Sequence, residues 1–115
     1  MKSLKKRLID KAEELDWRVN IYDGSNWEFE KYSPAGEDFI FSIDTKDPED
    51  VWREVRRYAN DFDTEEHIEM WVQAKRYGTN GVPSIRRLVE DADDIDEMLD
   101  ELADALREVT EEEAE

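Results

Sequence analysis

An unbroken helical repeat of apolar residues runs along the C-terminal part of this chain. The apolar residues recur at steps of three and four from Ile85 to Val109. That spacing places them on one side of an α-helix, in a seam about 37 Å long. The seam consists of Ile85, Leu88, Ala92, Ile95, Leu99, Leu102, Leu106 and Val109. The pattern predicts one long helix whose seam packs on the core of its own domain.

The predicted long helix also carries most of the negative charge. From Glu90 to Glu115 there are fourteen carboxylates and one cation, Arg107, so this segment contributes −13 to a net charge of −17. Such an uneven charge distribution bears on partners more than on fold. It argues against nucleic acid as a ligand and favours a basic protein surface, or water, as what the segment faces. The asymmetry also argues against a halophilic protein, in which we expect carboxylates over the entire surface.

The first half of the chain predicts a helix followed by three strands. Ser3 is the expected N-cap of the first helix, whose apolar face comprises Leu4, Leu8, Ala12 and Leu15. Apolar and polar residues then alternate in three short runs, which is the period of half-buried strands. The inward residues of these runs are Trp17, Val19, Ile21, Trp27, Phe29, Phe39, Phe41 and Ile43. Short turns at Asp23-Gly24 and at residues 33–36 predict an antiparallel meander covered by helices on one face.

Two further helices are predicted between the strands and the long helix. Asp47 and Pro48 have the N-cap and first-position preferences of a second helix. Asp63 and Glu66 have capping-box spacing for a third, and Gly78 is its expected end. The predicted order is α-β-β-β-α-α-α. We therefore predict one α+β domain over residues 1–110, with a long acidic last helix and an acidic tail at residues 111–115 that frays.

Cysteine content and hydropathy indicate a compartment. The chain has no cysteine, which removes disulfides and thiolate chemistry and fits the cytosol. The N-terminus is positively charged but lacks the apolar run of a signal peptide. No run approaches the length of about 18 apolar residues that a membrane-spanning helix needs. We expect a soluble, cytoplasmic protein.

Carboxylates one turn apart line the predicted outer arc of the last helix, where like charges such as Asp93 and Glu97 repel. Each such pair costs about 0.2–0.5 kcal/mol. A row of anions about 37 Å long matches about eleven base pairs, so it suits a DNA mimic. The predicted partner-binding residues are Glu90, Asp93, Asp94, Glu97, Asp100, Glu101 and Asp104, and the expected partner is a basic, nucleic-acid-binding protein. The same arc includes Asp91, Asp96 and Glu108.

Three other interpretations stay open. The arc is also consistent with a solvated surface that maintains solubility. The chain is alternatively an interaction module that assembles with itself or with a partner helix. Such a module would use its seam or the outer sheet face that carries Tyr22, Tyr32 and Ile40. In a homodimer through the seam, however, Asp91 and Asp96 would meet no cation.

An enzyme is the third alternative, and few features of the sequence support it. His67 is the sole histidine, so it lacks the additional His or Cys ligands of a zinc site. Residues 91–96 lack the glycine of a calcium loop and fall within the helical repeat. Asp44 and Lys46, with Glu28 and Glu30, are similar to a metal-dependent nuclease arrangement, although an acidic protein repels nucleic acid. We predict no catalytic residue, no metal and no cofactor.

Several stretches resemble small acidic proteins of phages and mobile elements, including anti-CRISPR and antirestriction proteins of the DNA-mimic type. Over residues 3–62 the layout is similar in LKKRLIDKAEELDWRVNIYDG, NWEFEKYSPAGEDFIFSI and DPEDVWREV. The segments KYSPAGEDF, DTEEHIEMW and GVPSIRRLVEDA look like those of phage-type proteins. The α-β-β-β-α order also resembles double-stranded-RNA-binding domains, but the helix after the strands opens with acidic residues where theirs has lysines. The phage resemblance implies a non-enzymatic inhibitor of a host-defence nuclease.

Overall fold

The fold is described here from a computed structural model, which covers residues 2–33, 36, 38–69 and 85–114. The elements lie in the predicted order, which confirms the α+β class. Residues 64–69 are helical and belong to α3. The remaining elements are α1 (Leu4–Glu14), β1 (Arg18–Tyr22), β2 (Asn26–Tyr32), β3 (Asp38–Asp44), α2 (Val51–Asp61) and α4 (Ile85–Ala114). The predicted end of the third helix at Gly78 lies outside the described residues.

The three strands form the predicted antiparallel meander in the order β1-β2-β3. Their register places Val19 opposite Phe29, and Phe29 opposite Phe41. Between β1 and β2, Asp23 and Gly24 have φ angles of 55° and 75°. Asp and Gly tolerate this left-handed region better than most residues, which explains the tight turn. The turn fixes the register and so keeps one face of the sheet apolar.

The inner face of the sheet packs around Trp17, which is 1% exposed. The Trp17 ring makes edge contacts with Phe29 and Phe41 at centroid distances of 6.4 and 5.6 Å. Phe29 and Phe41, paired across β2 and β3, are stacked at 5.1 Å. These aromatic rings bury a large apolar area per residue, which helps so short a chain to build a core.

The helices cover this inner face, with α4 packed on α1 and α2. Ser3 Oγ accepts a hydrogen bond from Lys6 N at 3.2 Å, which confirms the predicted cap of α1. A 3-10 turn, Pro48–Asp50, capped by the Asp47 side chain, precedes α2. Five seam residues of α4 are fully buried within the domain, which confirms the predicted packing of the seam: Ala92, Ile95, Leu99, Leu102 and Leu106.

Two details of α4 differ from the sequence prediction. The helix continues through Ala114 rather than fraying after residue 110. Arg7 of α1 holds this end, since its Nη2 lies 2.9 Å from Glu112 Oε2 and its Nη1 contacts Glu113. The other difference is Asp91, which is 2% exposed although we predicted it on the outer arc. Its position on the helix is close to those of buried Met98 and Val109, so it faces inward with them.

No helix among the described parts of the chain combines the length and the apolar character needed to cross a membrane.

Candidate protein-binding surface

The outer face of α4 carries a row of carboxylates that make no ion pair with a described cation. We call this row the acid ridge: Asp93, Asp94, Glu97, Glu101 and Glu108. Asp93, Glu97, Glu101 and Glu108 are exposed, and Asp94 is half-buried. None of the five makes an ion pair with a described residue. A helix of 30 residues is about 45 Å long, and its backbone holds these charges in a fixed arrangement.

One flank of the acid ridge is neutralised from α2. Arg56 Nη1 lies 3.2 Å from Asp100 Oδ1, and Arg56 Nη2 contacts Asp104 Oδ1. Asp100 and Asp104 are one turn apart and would otherwise repel each other. The Arg56 side chain is 27% exposed, whereas those of Asp100 and Asp104 are 52% and 65% exposed. Arg56 therefore binds both carboxylates while leaving them accessible to solvent.

Arginine side chains also occupy the C-terminal end of α4. Arg107 Nε lies 2.9 Å from Glu111 Oε1, and the Arg107 guanidinium lies 5.6 Å from the centroid of the Trp52 ring. The hydrogen bond to Glu111 and its charge raise the pKa of Arg107. Together with the contacts from Arg7, these pairs compensate charge at the C-terminal end of α4 and leave Asp93, Glu97 and Glu101 without an ion pair among the described residues.

Two acidic residues lie nearer the core than the acid ridge. Burial raises the pKa of Asp96, and the charges of Asp100 and Asp93 raise it further. Both carboxylate oxygens of Asp91 are buried, and neither has a hydrogen-bond partner among the described residues. Burying a carboxylate without a partner is costly. Asp91 therefore weakens the fold and is unavailable for the surface role that the sequence suggested.

The outer face of the sheet is a second exposed surface. Tyr22, Tyr32 and Ile40 are 50%, 58% and 49% exposed. Tyr22 lies at the far end of the β1–β2 register from Tyr32, so the three side chains do not form one patch. Near Tyr32, the Arg18 guanidinium lies 5.7 Å from the ring centroid and pairs with Glu30 at 2.5 Å. Charged groups therefore interrupt the apolar surface.

Glu30 belongs to a pair of neighbouring carboxyl groups on this outer face. Burial raises the pKa of Glu30, and a hydrogen bond with Asp38 raises it further, whereas the Arg18 charge lowers it. Glu30 and Asp38 lie on adjacent strands, two register pairs apart, so both project from the outer face of the sheet. The Glu30 side chain is 20% exposed, so the carboxyl group is only partly hydrated.

A surface pocket of about 460 Å³ opens beside this corner of the sheet. Its walls come from β3, from the end of α2 and from the start of α3. Aromatic rings and carboxylates alternate around it. The lining residues are Asp38, Phe39, Ile40, Tyr58, Asp61, Phe62, Asp63, Glu66 and His67. Burial raises the pKa of the Tyr58 hydroxyl.

Comparisons with known proteins give no relative, because no family model, curated protein or solved structure matches this chain. Within residues 2–33, 36, 38–69 and 85–114, no group of three or more His, Asp or Glu side chains has metal-binding geometry. His67, the sole histidine, contacts the ring of Phe62 at a centroid distance of 5.5 Å.

The seven predicted partner-binding residues divide into groups in the structure. Asp93, Glu97 and Glu101 are exposed and unpaired among the described residues, and Asp94 beside them is half-buried. Asp100 and Asp104 are exposed but bound to Arg56. Glu90 is exposed at the N-terminal end of α4. Sequence reasoning placed Glu108 on the arc without including it in the site, and it missed the pocket altogether.

Proposed function

We propose that this protein is a non-enzymatic inhibitor that binds the DNA-binding surface of a basic host-defence nuclease, such as a CRISPR effector or a restriction enzyme. The acid ridge is the proposed contact. The observation that carries the proposal is that these carboxylates have no cation partner among the described residues, although described arginines lie close enough to pair with other carboxylates of α4. Arg7, Arg56 and Arg107 all pair with other carboxylates of α4, at the ends or on one flank of the ridge.

The cost of the arrangement supports this choice over a plain solvated surface. Asp93 and Glu97, and Glu97 and Glu101, are like-charge pairs one turn apart. Each pair costs about 0.2–0.5 kcal/mol when no cation compensates it. Arg56 relieves the Asp100–Asp104 pair, so the uncompensated repulsion lies on the face that points away from the domain.

The geometry accounts for competition with DNA. Nucleases grip phosphates with Lys and Arg, and a rigid row of carboxylates offers those same side chains a partner. A fixed helix needs no ordering on binding, which limits the entropic cost. Salt screens this long-range attraction. The association rate is therefore high at low ionic strength and decreases steeply as the salt concentration rises.

A cleavage assay against a panel of restriction enzymes and CRISPR effectors tests the proposal. The protein should inhibit at least one enzyme, and added competitor DNA should relieve the inhibition. The triple variant Asp93→Asn/Glu97→Gln/Glu101→Gln should bind that enzyme at least about tenfold more weakly, because three contacts to cations are lost. Its circular dichroism spectrum should match that of the wild type.

A matched variant distinguishes the effect of the acid ridge on inhibition from the effect of net charge. Glu13→Gln/Asp44→Asn/Glu49→Gln removes three exposed carboxylates outside α4 and changes the net charge by the same amount. This variant should inhibit like the wild type. Equal losses in both variants, full inhibition by the ridge variant, or no inhibition across the panel would each contradict the proposal.

The outer sheet face supports a second candidate, an interaction module. Tyr32 and Ile40 are each about half exposed on adjacent strands of this face. The seam of α4 is excluded from this role because Leu99 and Leu102 are fully buried in the domain. Sedimentation across a range of concentrations tests self-assembly, and Ile40→Glu should reduce the mass of any oligomer. A monomer at every concentration would contradict assembly of this chain with itself.

A further inference from the structure

We propose that the pocket between β3, α2 and α3 binds the side chain of an arginine presented by a protein partner. This pocket is separate from the acid ridge, and the inference does not rest on the proposed inhibitor function. It is drawn from the rings that line the pocket, from the charges at its mouth and from the fit of both to a guanidinium.

Aromatic rings form the inner wall of the pocket. The ring of Phe39 lies 5.9 Å from that of Phe62 and 6.5 Å from that of Tyr58, measured between centroids. His67 extends the wall, with its ring 6.2 Å from Phe39. Phe39 is 6% exposed, whereas Tyr58, Phe62 and His67 are half-buried and accessible from the pocket. Ring faces of this kind attract cations through their quadrupoles.

Four exposed carboxylates surround these rings, and the described lining residues include neither Lys nor Arg. Two of the four are already engaged: Asp63 Oδ1 accepts hydrogen bonds from the N–H groups of Glu65 and Glu66, and Asp38 is hydrogen-bonded to Glu30. Asp61 and Glu66 have no side-chain hydrogen bond or ion pair with a described residue. They are the carboxylates that a cation entering the pocket would meet.

Asp61 occupies an electrostatically unfavourable position in its own helix. It is the last residue of α2, where the partial negative charge of the helix end disfavours a carboxylate. Asp61 makes no ion pair with a described cation, and Arg57, one turn earlier in α2, pairs with Glu54 instead. A bound cation would remove this conflict, which gives the position of Asp61 a physical reason that packing alone does not supply.

The chemistry of the pocket favours arginine over other cations. A guanidinium stacks flat on aromatic rings and donates paired hydrogen bonds to carboxylates, whereas an ammonium is a more strongly hydrated point charge. The described part of the chain has no cluster of three or more metal-ligating side chains, so a metal ion suits the pocket less well. A volume of about 460 Å³ falls in the range of about 300–1,000 Å³ that is typical of sites for small ligands.

An NMR titration with N-acetyl-arginine N-methylamide tests the proposal with the full chain. This probe carries the guanidinium without charged termini. It should produce saturable amide shifts at residues 38–40, 58 and 61–67, with a dissociation constant in the millimolar range expected for one side chain. The citrulline analogue, which has nearly the same shape without the charge, should produce no saturable shift. The lysine analogue should bind more weakly than arginine.

Charge-matched variants distinguish the effect of the pocket carboxylates from that of the overall negative charge of the protein. Asp61→Asn/Glu66→Gln should weaken arginine binding about tenfold, since both free carboxylates are removed. Asp94→Asn/Glu97→Gln removes two carboxylates from α4 and should bind arginine like the wild type. Equal weakening in the two variants, or equal binding of arginine and citrulline, would overturn the proposal. Loss of arginine binding leaves nuclease inhibition intact if the acid ridge acts separately, so the two proposals can fail independently.

Discussion

Arg56 of α2 and Asp100 of α4, which are 44 residues apart in the chain, meet across the interface of the two helices with Nη1 3.2 Å from Oδ1. The second Arg56 nitrogen contacts Asp104. One cation therefore serves two carboxylates that are a helical turn apart. This contact divides α4 into a flank that the domain neutralises itself and the acid ridge, which it leaves charged.

Replacing Arg56 with Gln should destabilise the fold by about 0.5–1.5 kcal/mol at low salt. The variant loses two partly exposed ion pairs and restores the repulsion between Asp100 and Asp104. Urea unfolding at ionic strengths of about 0.05 M and about 0.5 M should show a smaller loss at the higher value, because salt screens both effects.

A double-mutant cycle is the control for this prediction. Arg56→Gln/Asp104→Asn should lose less stability than the sum of the two single changes, because each single change already breaks the same contact. Strict additivity would mean that the contact between Arg56 and Asp104 does not stabilise the fold, which would contradict the pairing of one cation with both carboxylates.

Replacing Asp91 with Leu should stabilise the protein by about 1–3 kcal/mol, because a buried carboxylate without a hydrogen-bond partner is removed. Leu has the same branched shape and number of side-chain heavy atoms, although its methyl groups are larger than carboxylate oxygens, and it matches the apolar environment next to the seam. Urea unfolding followed by circular dichroism measures the change. Asp93→Leu is the matched control, since Asp93 is exposed two residues away, and it should stabilise the fold by less than Asp91→Leu, because it relieves only a like-charge repulsion of about 0.2–0.5 kcal/mol with Glu97. A loss of stability in Asp91→Leu would contradict the argument.

Glu30 should make stability depend on pH. Its pKa is raised by burial and then by the hydrogen bond with Asp38, so the folded state binds this proton more tightly than the unfolded state. The Glu30 contribution to the free energy of unfolding should therefore decrease as pH rises from the ordinary glutamate pKa of 4.5 through the higher pKa of the folded state. Glu30→Gln should remove this decrease, as measured from urea midpoints across that window.

Asp38→Asn provides the second arm of this test. The change removes the hydrogen bond between carboxyl groups but leaves the burial of Glu30, which is the larger cause. The pH dependence should therefore become shallower without disappearing. A profile for Glu30→Gln that is identical to that of the wild type would refute the assignment.

The elements and the core follow from local periodicity. The three-and-four spacing of Leu99, Leu102 and Leu106 predicts their burial, and all three are fully buried. Alternation likewise assigns Phe29 and Phe41 to the inner face of the sheet. Because these patterns depend on residues near one another in sequence, one sequence is enough to read them.

Sequence periodicity does not predict the contacts that depend on how the helices and strands pack against one another. The Arg56–Asp100 contact requires the relative position of α2 and α4, which the repeat of each helix leaves open. The pocket likewise combines Phe39, Phe62 and His67 from separate parts of the chain. Asp91 is different, because its spacing of seven residues from Met98 places both on the same side of the helix. Helical spacing alone therefore predicts that Asp91 faces inward. The sequence interpretation instead grouped Asp91 with the neighbouring acidic residues.

The acid ridge and the Arg56-bound flank should respond oppositely to the same chemical change. Glu97→Gln removes a charge with acidic neighbours one turn away on both sides, Asp93 and Glu101, so it should stabilise the fold by about 0.4–1 kcal/mol at low salt. Asp100→Asn removes a partner of Arg56, and we expect this loss to outweigh the relieved repulsion from Asp96 and Asp104, so it should destabilise the fold by up to about 1 kcal/mol. Both shifts should shrink at an ionic strength of about 0.5 M. Urea unfolding of the two variants, which have equal net charge, measures the contrast.

Shifts of the same sign would mean that the division of α4 into a compensated flank and an uncompensated ridge is wrong. Opposite signs would mean that the domain keeps the ridge at a cost to its own stability, as the proposed contact with a cationic partner requires.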